Sequence, residues 1–266
     1  MLTAECKAML LHQRHAYYRR LFTGLAVLFF IGLCLYYVGF FDPVRLAEGV
    51  PSLFKLAAEM FPPDFSNAGQ WVVPLLDTLA MSIAGTAMAV LLSLPLAILA
   101  ASNTTPHPAV YQLARGLLNG LRSIPELIMG IVFVAAVGFG ALPGVLALAL
   151  HSVGMVAKFF AEAIEHADMA PIEAARSAGC SPLQVICHGV LPQVFPKMAD
   201  TAIYRWEYNF RASTVMGMVG AGGIGFELMG SLRILQYQEV SAILIVILVM
   251  VTLVDGLSAY LRKLSI

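Results

Sequence analysis

The 266-residue chain carries no formal net charge, is 59% hydrophobic and is only 12% charged, against about a quarter charged in an ordinary soluble domain. These proportions argue against a water-soluble fold and for an all-α protein threaded several times through a membrane. With no basic block beyond the N-terminus, the electrostatic footprint of a nucleic-acid binder is missing, and nucleic acid drops out as a partner.

Lys7, Arg14, Arg19 and Arg20 precede a charge-free run at 21–41, long enough as helix to cross a hydrocarbon layer of about 30 Å. The arrangement resembles a signal peptide, but the run is too long and lacks a small-residue cleavage site, so it reads as a retained anchor. Residues 42–71 mix charges with Pro43, Pro51, Pro62 and Pro63 and lie outside the hydrocarbon. There Leu53, Phe54, Ala57, Met60 and Phe61 recur at helical spacing, predicting a short helix in the lipid interface, with Trp71 as an aromatic anchor. Residues 1–70 thus form an anchor with an outer amphipathic segment, and 71–266 the main transmembrane domain.

A second span is predicted over 72–100, closed by the turn-rich Asn103 to Pro108. The stretch 127–157 is charge-free for 31 residues, roughly 46 Å as helix, too long for one crossing and too short for two. Gly138, Gly140, Pro143 and Gly144 supply a break, so a third span starts near 117 and a fourth ends near 165. A fifth span follows near 197–217, an outer helix near 226–236 and a sixth span near 239–261. Placing the N-terminus, Arg115, Arg122, Arg262 and Lys263 in the cytoplasm requires an even number of spans, and six fits. Cys6, Cys34, Cys180 and Cys187 match neither a disulfide framework nor a zinc site and read as reduced structural cysteines.

The fourth span carries a stripe of His151, Met155, Lys158, Glu162 and Glu165, with Lys158 and Glu162 spaced as an ion pair. His151 fits a packing role or a proton relay. In the fifth span Asp200, Tyr204, Glu207, Arg211 and Thr214 share one face, Glu207 four residues before Arg211 in the favourable order. Two readings stand together: an ion-pair network that fixes packing, and a polar pathway in which Glu207, Asn209, Arg211, Ser213 and Thr214 meet an oxyanion. Asp77 and Glu126 lie near span boundaries and take no chemistry. GAGGIG at 220–225 matches a dinucleotide fingerprint only in letters, because no strand-turn-helix unit surrounds it; an outer-gate loop or a tight turn fits better.

Between spans four and five, PIEAARSAGCSPLQVICHGVLP at 171–192 is punctuated as two short helices. Pro171 suits a first helical position, Gly179 a left-handed close, and Ser181, Pro182 and Gln184 a capping box. A helix pair with the small face Ala174, Ala175 and Ala178 fits a groove in another protein or interfacial packing.

Glu173, Ala174, Ala175, Gly179, Leu191 and Pro192 match, in order and spacing, the EAA loop of bacterial ABC-importer permeases. GFGALPGVLALALHSVGMVAKFFAEAIE and YRWEYNFRASTVMGMVGAGGIGFELMG resemble in particular the permeases of phosphonate importers, whose relatives handle phosphite and hypophosphite. Gly189 departs from the aliphatic residue usual there, implying a less regular second half of the loop. The resemblance implies a type I importer permease in the bacterial inner membrane, with both termini cytoplasmic and lipid around it. It implies a homodimer beside two cytoplasmic ATPase subunits that insert around 171–192, served by a periplasmic or extracellular substrate-binding protein. It also implies that ATP and Mg stay on the ATPases; no lysine here is followed by Ser or Thr, so a Walker A loop is absent. The rivals are a proton-coupled transporter working through His151, Glu162 or Glu207, an ABC permease for another small solute such as an amino acid, and a non-transporting membrane scaffold.

Overall fold

A computed structural model describes the backbone of residues 4–265 and the side chains of 16–264. The described residues form helices and turns without a strand, as expected where lipid leaves every backbone polar group to be satisfied within its own segment. The chain divides into two compact units, Met1–Glu59 and Met60–Ile266.

The first unit holds α1 (Ala4–Tyr37) and α2 (Pro43–Glu59). The side chains of Cys6, Lys7 and Arg14 lie outside the described residues. The apolar part of α1, Ala16–Tyr37, is long enough to cross a bilayer and exposes its large hydrophobic side chains. It stops short of Phe41 because Gly39, at φ +78°, turns the chain and Asp42 accepts a hydrogen bond from the Val44 amide at 3.0 Å to begin α2. The predicted interfacial helix is α2, but it ends at Glu59, so Met60 and Phe61 lie beyond it.

The second unit continues through α3 (Val72–Ala100), α4 (Pro108–Ser123), α5 (Glu126–Val137), α6 (Ala141–Glu165), α7 (Met169–Ser177), α8 (Pro182–Val185), α9 (Leu191–Met216), α10 (Ile224–Arg233) and α11 (Tyr237–Ser265). At its centre α3 packs along α6 through small residues: a Cβ on Gly85 would sit 3.0 Å from that of Leu148, and Ala89, Ala97, Ala147 and Ala157 are fully buried. Small side chains let helix backbones approach where no hydrophobic drive separates protein from lipid. Gly154 likewise admits α4, a Cβ there falling 2.9 Å from the Leu118 carbonyl.

Further expectations need correction in this unit. The third span is not one helix from 117: α4 and α5 meet at 85°, because Pro125 holds Ile124 extended at ψ 120°. α9 begins at Leu191 rather than near 197, running on from α8 through a π-helical turn at Ile186–Val190. Trp71 is not an interfacial anchor: it is 2% exposed and packs with Ile224, Ala242 and Ile243. Its indole fills the gap that α10 and α11 leave beside the start of α3.

The break between spans three and four falls where the glycines placed it, with Gly138 and Gly140 at φ +96° and +128°. Among the described residues, four helical stretches are long and apolar enough to cross a membrane alone, Ala16–Tyr37, Ala68–Ala100, Ala141–Glu165 and Tyr237–Leu264. Counting the bent α4–α5 pair and the bent path from Pro182 to Arg233 as one span each gives six.

Candidate functional site

The elbow between α6 and α9 is built by local caps. Asp168 Oδ1 accepts from the Ala170 amide at 3.0 Å and starts α7, so Pro171 is the third residue of its first turn rather than the first. Gly179, at φ +81°, ends the helix. The Cys180 amide donates to the Ala175 carbonyl at 3.2 Å and the Gly179 amide to that of Arg176 at 3.0 Å, the paired bonds of a Schellman close. The predicted capping box follows, with the Ser181 amide donating to Gln184 Oε1 at 2.8 Å.

One side of the elbow is fused to the core. Ile172, Val185 and Val190 are buried in the cluster that contains Phe160 and Ile164 of α6 and Val194 and Met198 of α9. The other side, with Glu173, Ala174, Ala178 and Gly179, is exposed, and Leu183 stands 69% exposed beside it. Gly189 lies in the π turn, where a Cβ would come 3.3 Å from the Ile172 Cα; the missing side chain lets the turn press against α7. A cavity of about 250 Å³ opens between the two halves, lined by Ile172, Arg176, Cys180, Val185 and Val190 among others. Such an element can receive a push on its outer face and pass it to α6 and α9.

The polar stripe on α9 forms as spaced, and α11 completes it. Glu207 pairs with Arg211, Arg211 reaches Asp255 at 3.1 Å, and Glu207 Oε2 accepts from Arg262 at 3.2 Å and from the Ser258 hydroxyl at 3.0 Å. Arg211 remains exposed, with Tyr204 beside it, whereas Glu207 is mostly covered. Thr214 returns its hydroxyl to the Arg211 carbonyl at 2.7 Å, and Asp200 pairs with Lys197 at 3.5 Å. The predicted pathway set divides here: Asn209 and Ser213 are fully buried on the opposite side of α9. Asn209 donates to Thr86 at 2.9 Å and accepts from Ser152 at 3.1 Å, and Ser213 donates to the Thr78 carbonyl at 3.2 Å. Positions 209 and 213 lie more than half a turn from 207 and 211, so they face α3 and α6.

Around the middle of α6 and α9 a second cluster forms. His151 Nδ1 lies 3.2 Å from the Ile124 carbonyl and its Nε2 3.6 Å from Glu126 Oε2. Glu126 Oε1 accepts from the Tyr208 hydroxyl at 3.1 Å. Beneath the Tyr208 ring, 4.3 Å from its centroid, lies the guanidinium of Arg205, which donates to Ser152 at 2.9 Å and to the Met155 sulfur at 3.2 Å. At the elbow end of α6, Lys158 pairs with Glu162 at 3.8 Å. There Glu165 binds Arg115 at 2.9 Å and the Ser102 amide at 2.8 Å, tying α4 and the turn after α3 to the end of α6.

GAGGIG forms a tight reversal. Gly220, Gly222 and Gly223 take φ of +104°, +75° and +73°, and any side chain on Gly225 would run into the Thr214 carbonyl. Thr78 accepts the Ile224 amide at 2.9 Å inside the turn. Among the described residues, no group of three or more His, Cys, Asp or Glu side chains is placed to hold a metal ion.

Residues 93–264 match the family described as binding-protein-dependent transport system inner membrane component. The chain belongs to this family. The permease is 72% identical over 231 residues, 87% of its own length and 84% of the relative's, to the phosphite transport system permease protein PtxC of Stutzerimonas stutzeri. It is 44% identical over 223 residues to the phosphate-import permease protein PhnE of Mycolicibacterium smegmatis, matching 84% of this chain but 42% of that longer protein. Its fold is that of a methionine ABC transporter, MetNI, captured in an inward-facing conformation, with a TM-score of 0.64 at 21% identity over 74% of this chain and 96% of that one.

In this permease Glu126, Arg205, Tyr208, Asp255 and Arg262 are among the polar residues of these clusters that the sequence alone did not place in a site. For Arg205 a signal existed: Arg205, Asn209 and Ser213 recur every four residues and form a second stripe, opposite the one that was read. Glu126, Asp255 and Arg262 find their partners only through tertiary packing.

Proposed function

We propose that this chain is the membrane-spanning permease subunit of an ATP-driven importer for phosphite or a related reduced-phosphorus oxyanion, phosphonate or hypophosphite. The observation that carries the substrate is the 72% identity, over 87% of the chain, to a relative named for phosphite transport. Two copies of the chain pair in the membrane beside two cytoplasmic ATPase subunits, which hold ATP and Mg. An external binding protein delivers the substrate, and both termini face the cytoplasm.

The elbow geometry supports α7–α8 as the element the ATPase grips: its outer face offers Glu173, Ala174 and Gly179, while its inner face is anchored to α6 and α9. ATP binding then does work only through its differential affinity for the outward- and inward-open states. The exposed face of α9, with Tyr204, Arg211 and Thr214, supports a polar route for an anion, Glu207 and Asp255 holding Arg211 until substrate competes.

The test is uptake into vesicles carrying the permease, its ATPase and its binding protein, offered phosphite, a phosphonate, hypophosphite, phosphate and an amino acid. ATP-dependent accumulation of phosphite or its reduced-phosphorus relatives is expected. Uptake without ATP, or of the amino acid alone, would overturn the reading.

A further inference from the structure

Arg205 is 2% exposed and, among the described residues, is the one charged side chain in the buried class. The hydrogen-bond partners of its guanidinium are neutral, a hydroxyl and a thioether, and its second terminal nitrogen, Nη2, is buried without a partner. The neighbouring carboxylate is equally incomplete: Glu126 Oε2 is buried without a hydrogen bond, facing His151 at 3.6 Å. A buried cation lacking a bonded counter-charge is costly, and such a cost persists where an anion is to be met.

An aromatic ring is stacked on this cation. The Tyr208 ring centroid lies 4.3 Å from the guanidinium carbon, and Tyr208 is itself 36% exposed, so it joins the buried cation to the open face of α9. Its hydroxyl is held by Glu126, and Glu126 is the first residue of α5, immediately past the 85° bend at Ile124 and Pro125. Movement of α5 against α6 would carry Glu126 away and free the tyrosine.

We propose that Arg205 and Tyr208 form an intramembrane subsite for a tetrahedral phosphorus oxyanion, with Glu126 as the resident carboxylate that the substrate replaces. In the closed arrangement Glu126 occupies the Tyr208 hydroxyl and supplies the negative charge nearest Arg205. When α5 swings, Tyr208 turns aside, an oxyanion oxygen takes the free Nη2 donors, and the hydroxyl donates to a second oxygen. Next to Arg205 one anion takes the place of another. A guanidinium suits this task, since its fixed fork of donors matches an oxyanion as an ammonium does not.

This inference rests on the oxyanion-import reading, and the test separates the two. In vesicles holding the complete complex with its binding protein, uptake of phosphite and of phosphate is measured for the wild type and for Arg205→Gln, Arg205→Lys and Tyr208→Phe, with copurification of the ATPase as the readout of assembly. Tyr208→Phe and Arg205→Lys are expected to assemble and to lose about ten- to hundredfold in phosphite uptake. Arg205→Lys should also change the ratio of phosphite to phosphate taken up, which a packing defect would leave alone. Wild-type uptake by either arginine variant overturns the subsite. If the arginine variants fail to assemble, Tyr208→Phe decides, and wild-type rate and selectivity in that variant overturn the proposal. Wild-type vesicles that import no oxyanion at all remove the functional reading, and the subsite falls with it.

Discussion

Gln193 binds the backbone of Asp168 on both of its polar groups: its side-chain oxygen accepts from the Asp168 amide at 2.9 Å and its side-chain nitrogen donates to the Asp168 carbonyl at 3.2 Å. The same nitrogen also donates to the Gly189 carbonyl one turn back. One glutamine near the start of α9 thereby fixes the entry to α7, the exit of the π turn and the direction of α9. These three meet at one side chain.

Gln193→Ala removes all of these bonds and leaves the Asp168 backbone groups to find water. We expect a stability loss of about 1 to 3 kcal/mol. More tellingly, the ratio of substrate imported to ATP hydrolysed should fall, because a loosened lever absorbs motion before α9 moves. Unfolding in detergent and uptake per ATP in vesicles check the two parts, and an unchanged ratio would show that the pin does not transmit force.

Gly179→Ala places a side chain at φ +81°, a conformation costing an L-residue about 1 to 2 kcal/mol. The Schellman close should loosen and α8 should lose its fixed angle to α7. Copurification of the ATPase with the permease should drop, whereas the same substitution at Gly116, where nothing lies within 4 Å of the new Cβ, should leave it unchanged.

Glu207→Gln tests the α9–α11 network. Glu207 joins Arg211, Arg262 and Ser258, so neutralising it leaves Arg262 without that carboxylate and Arg211 with Asp255 alone. Because Glu207 is mostly covered, a loss of about 1 to 3 kcal/mol is expected, with a double-mutant cycle against Arg262→Gln giving a clear coupling. A cycle without coupling would assign the carboxylate to Arg211 only.

What the sequence made legible followed from short-range rules. Apolar run length marked the spans, Ser181 with Gln184 marked a cap, and the spacing of Glu207 to Arg211 marked a pair on one helix. What stayed hidden depends on distant segments. Trp71 looked interfacial until α10 and α11 closed over it. Glu126 looked like a boundary carboxylate until α5 was seen to begin beside Tyr208 of α9. Asn209 and Ser213 were grouped with Arg211 by residue type, although their angular positions on α9 already set them on the other face. The bend between α4 and α5 likewise has a local signal, since Pro125 disfavours helix at Ile124.

Gly189→Val supplies the aliphatic residue that the resemblance to importer permeases implies at this place and should nevertheless harm this chain. The π turn at Ile186–Val190 brings Gly189 to 3.3 Å, by a hypothetical Cβ, from the Ile172 Cα and 3.5 Å from the Pro171 carbonyl. Both are backbone atoms of α7, which cannot yield as the end of a flexible side chain could. A branched side chain must therefore push α7 outward or convert the π turn to regular helix, and that conversion would rotate everything C-terminal to it. The expected cost is about 1 to 3 kcal/mol, the usual range for overpacking, with weaker coupling of ATP hydrolysis to uptake. A valine variant with wild-type stability and coupling would mean that α7 and the π turn are not held in register by this contact, and that Gln193 alone sets the elbow.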